Sequence, residues 1–163
     1  MSIKHYQFYH GAVLAKILRL DIPTSLKLVE TSEESWNTYI INDNIALYMK
    51  YSKARKTNKH ERFKFVFDSK HLDEIRHYIS NEKINIKLAL ICISSEESMK
   101  KSEICLIEQE QLIKIIDLNS ITDQTINVYV ETNKSFRVDG TKSKKNKELT
   151  ISRNAIDKIN IPS

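Results

Sequence analysis

Between Lys50 and Lys64 the chain sets seven lysines and arginines (Lys50, Lys53, Arg55, Lys56, Lys59, Arg62, Lys64) against one acid, Glu61, and threads them between strand-forming aromatics in YMKYSKARKTNKHERFKFVF. Like charges at that density repel one another and need a counterion, and the chemistry they offer is recognition of phosphate. A second basic run places Lys134, Arg137, Lys142, Lys144, Lys145 and Lys147 against Asp139. The net charge of the whole chain is only +5, so the residues outside the two runs carry a negative balance. Such polarisation favours an oriented contact with a polyanion, DNA or RNA, over general stickiness. The expected contacts are Lys53, Arg55, Lys56, Lys59 and Arg62 in the first loop and Lys142, Lys144, Lys145 and Lys147 in the second, both loops on one side of a sheet. Tyr48, Tyr51 and Phe63 flank the first run as stacking surfaces for a single strand. Alternation in FKFVF, however, assigns Phe63, Phe65 and Phe67 to a core face. The second loop, TKSKKNKE, has lysines and no arginine, which suits non-specific phosphate contact and equally describes a solvated hairpin tip. Lysine-rich loops also fit an acidic protein surface, so an interaction subunit or inhibitor with an acidic partner is the other binding class.

Covalent chemistry finds less support. The only glycines are Gly11 and Gly140, and neither lies in a Gly-rich turn between strand and helix, which disfavours nucleotide-fuelled and dinucleotide chemistry. His5, His10, His60, His71 and His77 form no HExxH and no Cys/His spacing suited to zinc. No serine occupies a Gly-x-Ser-x-Gly elbow. Cys92 and Cys105 each sit inside an apolar run, ICIS and ICLIE, and read as small core residues of a cytoplasmic chain.

The elements that must position these residues follow from periodicity. Tyr6, Tyr9, Val13, Ile17 and Leu20 have helical spacing, closed by Pro23. The apolar stretch there is broken by Lys16 and Arg19, so it reads neither as a signal peptide nor as a membrane span. SLKLVE is a short strand. TYIIN and IALYMKYS make a hairpin about Asp43-Asn44, and pairing Asn42 with Ile45 puts Ile40, Leu47, Met49 and Tyr51 on one face, Tyr39, Ile41, Ala46, Tyr48 and Lys50 on the other. Both faces are largely apolar, which requires cover on two sides. FKFVF is a strand, and Asp68 or Ser69 caps a helix with Leu72, Ile75 and Ile79 inward. IKLALICIS reads as a central strand and EICLIE as its partner, with Cys92 opposite Cys105 in a symmetric hairpin. Residues 109–117 are a short helix, TINVYVE, SFRVD and ELTIS are strands, and Ser152 caps a last short helix with Ile156 and Ile159. At 163 residues and 40% hydrophobic the chain has material for one core. The expectation is a single domain over 1–163, of α+β (mixed α/β) class, with one mixed, mainly antiparallel sheet and helices packed on it.

A helix, a short strand ending in Glu30, a hairpin carrying Asp43 and a lysine on its second strand, Lys50, resemble the opening of the PD-(D/E)XK restriction-endonuclease-like fold over residues 8–94. The resemblance implies a nuclease in which an acid and an acid-x-Lys triplet hold Mg²⁺ or Mn²⁺ while the lysine positions the attacking water. Lys50 matches the lysine, Asp43 or Glu30 the acid, and Tyr48 stands where the triplet has its acid. The KYS hairpin, basic loop and F-x-F strand also resemble small uncharacterised bacterial proteins of phage-defence or mobile loci. An unpaired edge strand near the C-terminus would support a homodimer.

Overall fold

The runs IALYM and IKLALICI are apolar at consecutive positions, and strands without a polar face have to be covered on both sides. The computed structural model, which describes residues 2–29, 36–56, 60–94, 102–143 and 148–162, lays these runs side by side and parallel, from Ile45↔Asn85 to Lys53↔Ile93. They are β3 (Ile45–Lys53) and β6 (Asn85–Ile93) of a five-stranded sheet ordered β1-β2-β3-β6-β7, completed by β1 (Leu26–Val29), β2 (Trp36–Ile41) and β7 (Glu103–Glu108). A second five-stranded sheet has the order β10-β9-β8-β5-β4, with β4 (Arg55–Lys56), β5 (Glu61–Phe67), β8 (Gln124–Val130), β9 (Phe136–Gly140) and β10 (Leu149–Ile151). The class is α+β, as the element string implies, but the strands divide between two sheets instead of one. The division falls at Ala54. Its N–H still donates to the Ile93 carbonyl at 3.0 Å, whereas the next residue, Arg55, pairs with Arg62 of the second sheet.

Three layers result. Helix α1 (His5–Leu18) lays Tyr9, Val13 and Ile17 on one face of the first sheet, against Ile45, Leu47, Met49, Ala89 and Ile91, and Ile156 of a 3-10 turn (Ala155–Lys158) joins them. The opposite face, with Ala46, Tyr48, Leu88 and Leu90, packs on the phenylalanine face of β5, on Ile126 and Val128 of β8, and on helices α2 (Ser69–Ile79) and α3 (Gln109–Ile115). Gly140 ends β9 against α3, where an added Cβ would collide with the Ile115 carbonyl, so only glycine permits that approach. Tyr78 takes the fully inward place expected of Ile79, which is half-buried at the rim. Among the described residues no helix is long and apolar enough to cross a membrane.

The register of the first hairpin differs by one from expectation. Ile41, not Asn42, pairs with Ile45, and Asn42, Asp43 and Asn44 form the loop, the first two at φ 49° and 60°. Asn and Asp tolerate this left-handed region, and Asn42 is held out of the ladder because its side chain accepts from Ser25 N–H (2.7 Å) and donates to the Pro23 carbonyl (3.0 Å). The shift exchanges the faces of β2. Tyr39 and Ile41 join Leu47 and Met49 on the α1 side, while Thr38 and Ile40 share the other side with Tyr48. The β6–β7 register likewise sets Cys92 opposite Glu103 and Cys105 opposite Leu90, so the two cysteines are diagonal neighbours, free and buried. Burial pushes both thiols up, which leaves neither available as a thiolate at neutral pH.

Candidate nucleic-acid interface

Alternation along β5 decides which charges look outward. Phe63, Phe65 and Phe67 are buried, so Arg62, Lys64 and Val66 point away from the core. On the neighbouring β8, Ile126 and Val128 are buried and Thr125, Asn127 and Tyr129 face out. Pairing across the sheet then lines up one transverse row: Arg55 opposite Arg62, Arg62 opposite Tyr129, Tyr129 opposite Arg137. Lys64 lies in the next row beside Asn127. This outer face presents three guanidinium groups, one ammonium and one phenol on an open sheet.

The charges are not equally compensated. Arg137 leans over the Tyr129 ring, its guanidinium carbon 5.8 Å from the centroid, and reaches Glu131 at 3.5 Å and Glu148 at 3.7 Å. A hydrogen bond from Lys134, with the nearby charge of Arg137, holds the Glu131 carboxyl below the usual carboxylate range. The Tyr129 hydroxyl is pushed up, first by burial and then by its hydrogen bond to Asp139, so the phenol stays neutral. Asp139 also accepts from Asn127 Nδ2 at 2.9 Å. Acids thus answer the β9 side of the face. On the β4–β5 side two arginines sit at directly opposed positions, an arrangement that costs stability in an antiparallel pair. The Nε of Arg62 is buried and has no hydrogen-bond partner among the described residues. Beneath this end, Arg153 pairs with both Glu103 carboxylate oxygens, donates to the carbonyls of Glu131 (3.0 Å) and Lys134 (2.9 Å), and lies 5.1 Å from the Phe136 ring centroid. It fastens the β8–β9 turn to the first sheet.

Of the contacts expected from sequence, Lys53 and Arg55 are exposed and Arg62 is half-buried on the outer face. Lys56 belongs to β4, its side chain outside the description; Lys59, Lys144, Lys145 and Lys147 lie outside the described residues. Lys142 follows β9 and spends its ammonium on the Ile113 carbonyl at 2.9 Å. The described residues that flank the two basic loops lie toward opposite ends of the second sheet. Glu61, which follows the first loop, pairs with Val130, whereas Gly140, which precedes the second, pairs with Ile126. Glu61 and Gly140 are therefore offset by four residues along the strands, about 14 Å at 3.4 Å per residue. The expected stacking aromatics are also placed elsewhere: Tyr48 and Phe63 are in the core, and Tyr51 packs on Tyr9 with ring centroids 4.8 Å apart. Tyr129 is the aromatic of the basic face. Its outward direction was readable from TINVYVE, but its place between Arg62 and Arg137 was not, because β5 and β8 are far apart in sequence.

Lys50 occupies a different place, on the inner side of β3 at the start of α2. Its Nζ is 3.5 Å from His71 Nδ1 and 5.3 Å from the centroid of Phe67. Asp68 caps α2 by accepting from Lys70 N–H (3.0 Å) and His71 N–H (3.1 Å), and His71 Nδ1 accepts from Asp68 N–H at 3.1 Å. Partial burial works to raise the Asp68 carboxyl, but these donors and the charge of Lys50 together keep it below its ordinary value. Nearby, Thr38 Oγ1 donates to Glu74 at 2.9 Å, and burial raises the Glu74 carboxyl. Asp43 sits at the far end of the hairpin, about 17 Å of strand away from Lys50 at 3.3–3.4 Å per residue, so the structure does not bring the two together. Glu30 lies outside the described residues. Among the described residues no cluster of three His, Cys, Asp or Glu could hold a metal ion, and the carboxylate they place by Lys50 is that of Asp68. The chain matches no protein-family model, no curated protein and no solved structure.

Proposed function

We propose that this protein binds nucleic acid through the outer face of its second sheet, with Arg55, Arg62 and Lys64 as the principal phosphate contacts and Arg137 as a secondary one. The observation that carries the proposal is the directly opposed pair Arg55↔Arg62. Two guanidinium groups at paired positions repel until an anion bridges them, and a phosphate accepts from both in fork geometry. The Lys142 loop, at the other end of the sheet, contributes to binding only for ligands long enough to reach it along the strands. Fluorescence anisotropy of a labelled oligonucleotide at several salt concentrations tests this. With four phosphates engaged, log affinity falls against log salt with a slope of about −3 to −4. A flat salt dependence contradicts it.

A second reading, a metal-dependent nuclease around Lys50, draws support from α1 preceding the β1–β2–β3 meander, as the PD-(D/E)XK resemblance implies, and from the polar neighbours Asp68 and His71. Among the described residues no set of acids fits a metal beside Lys50, so no reaction step is derived from it.

A further inference from the structure

Resting on that reading, we infer that the ligand is a single strand whose bases stack on the basic face, with Tyr129 as the stacking platform, in preference to a duplex. The first argument is shape. The major groove of duplex DNA is about 12 Å wide and admits a helix or a two-stranded ribbon. The row Arg55–Arg62–Tyr129–Arg137 runs across four adjacent strands, about 14 Å at 4.8 Å per strand, so the surface carrying it is too broad and flat to enter that groove. Against such a surface a duplex offers only its phosphate ridges, and Tyr129, at the middle of the row, would have no partner. A single strand can turn its bases onto the sheet while its phosphates reach Arg55, Arg62 and Lys64.

The second argument is how Tyr129 is held. Its hydroxyl is bonded to Asp139, His60 meets it edge-on with ring centroids 5.5 Å apart at 70°, and Arg137 leans over the ring. A planar group fixed from three directions loses little freedom when a base arrives. Guanidinium planes also stack on bases, so Arg137 extends the platform. Every base has a π-face, so stacking on Tyr129 is tolerant of sequence and the expected preference is weak.

The test compares labelled fifteen-nucleotide oligothymidylate and oligouridylate with a fifteen-base-pair duplex, on the wild-type protein and on Tyr129→Ala and Tyr129→Phe, with circular dichroism to verify folding. The single strands are expected to bind at least about tenfold more tightly than the duplex. Tyr129→Ala weakens single-strand binding by about tenfold or more and duplex binding by distinctly less, while Tyr129→Phe retains most of both. Equal affinity of wild-type protein for strand and duplex overturns the inference and leaves the phosphate-binding face standing. So does full single-strand affinity in a folded Tyr129→Ala. Binding of no probe at all overturns both.

Discussion

Arg55→Glu makes the protein more stable and a poorer ligand for nucleic acid. In the wild type Arg55 faces Arg62 across the β4–β5 ladder. A glutamate at position 55 converts like charges into a complementary cross-strand pair, worth about 0.2–1 kcal/mol each way. For a chain of this size that raises the melting temperature by about 1–8 °C. Affinity moves in the opposite direction, because one phosphate contact becomes a repulsion. Combining Arg55→Glu with Arg62→Glu removes two charge-assisted contacts worth about 1.5–3 kcal/mol each, a loss of a hundredfold or more. A purely structural role for these arginines predicts no binding defect in a well-folded double variant. Thermal melts and anisotropy on the same samples read both quantities, and undiminished binding by the double variant contradicts the assignment.

Tyr48→Asp unfolds the protein. The substitution writes the missing acid of an acid-x-Lys triplet, and on a surface strand it would be the obvious way to restore a metal site beside Lys50. Tyr48, however, is fully buried in the layer between the two sheets, its ring centroid 6.2 Å from that of Phe67. Loss of the ring costs about 3–5 kcal/mol by analogy with other aromatic truncations. Taking a carboxylate out of water adds several kcal/mol more. Together these reach the whole stability of a typical domain, about 5–15 kcal/mol. Tyr48→Phe keeps the ring and its packing on Phe67, so this variant stays folded. Chemical denaturation of both variants checks the contrast. A folded Tyr48→Asp that cuts plasmid DNA with Mg²⁺ would instead establish a nuclease framework around Lys50.

Local chemistry made most of the elements legible. The helix over Tyr9, Val13 and Ile17, the capped start of α2 at Asp68, and the two-sided burial of IALYM and IKLALICI all follow from spacing, capping chemistry and apolar runs. Pairing was another matter. The Asn42 side chain, by bonding to Ser25 and Pro23, moved the hairpin register by one residue, and no local pattern announces a contact with residues seventeen or more positions earlier. The split into two sheets turns on Ala54, an unremarkable residue at which β3 gives way to β4. The same limit governs the site. The charge run singled out Arg55 and Arg62, which stand on the outer face, yet only the β5–β8 and β8–β9 ladders bring Tyr129 and Arg137 beside them. Lys142, equally basic in sequence, is tied to a helix carbonyl at the other end of the sheet.

The central claim, that nucleic acid lies on the outer face of the second sheet, is tested most directly by mapping amide chemical-shift changes in a ¹⁵N-labelled sample during titration with a twelve-nucleotide single strand. The account predicts the largest changes at Arg55, Arg62, Lys64, Tyr129 and Arg137, on four neighbouring strands. It predicts none in α1, on the far side of the first sheet, or in β1, at that sheet's edge. Changes centred on Lys50, His71 and Asp68, or confined to the Lys142 end, would contradict it.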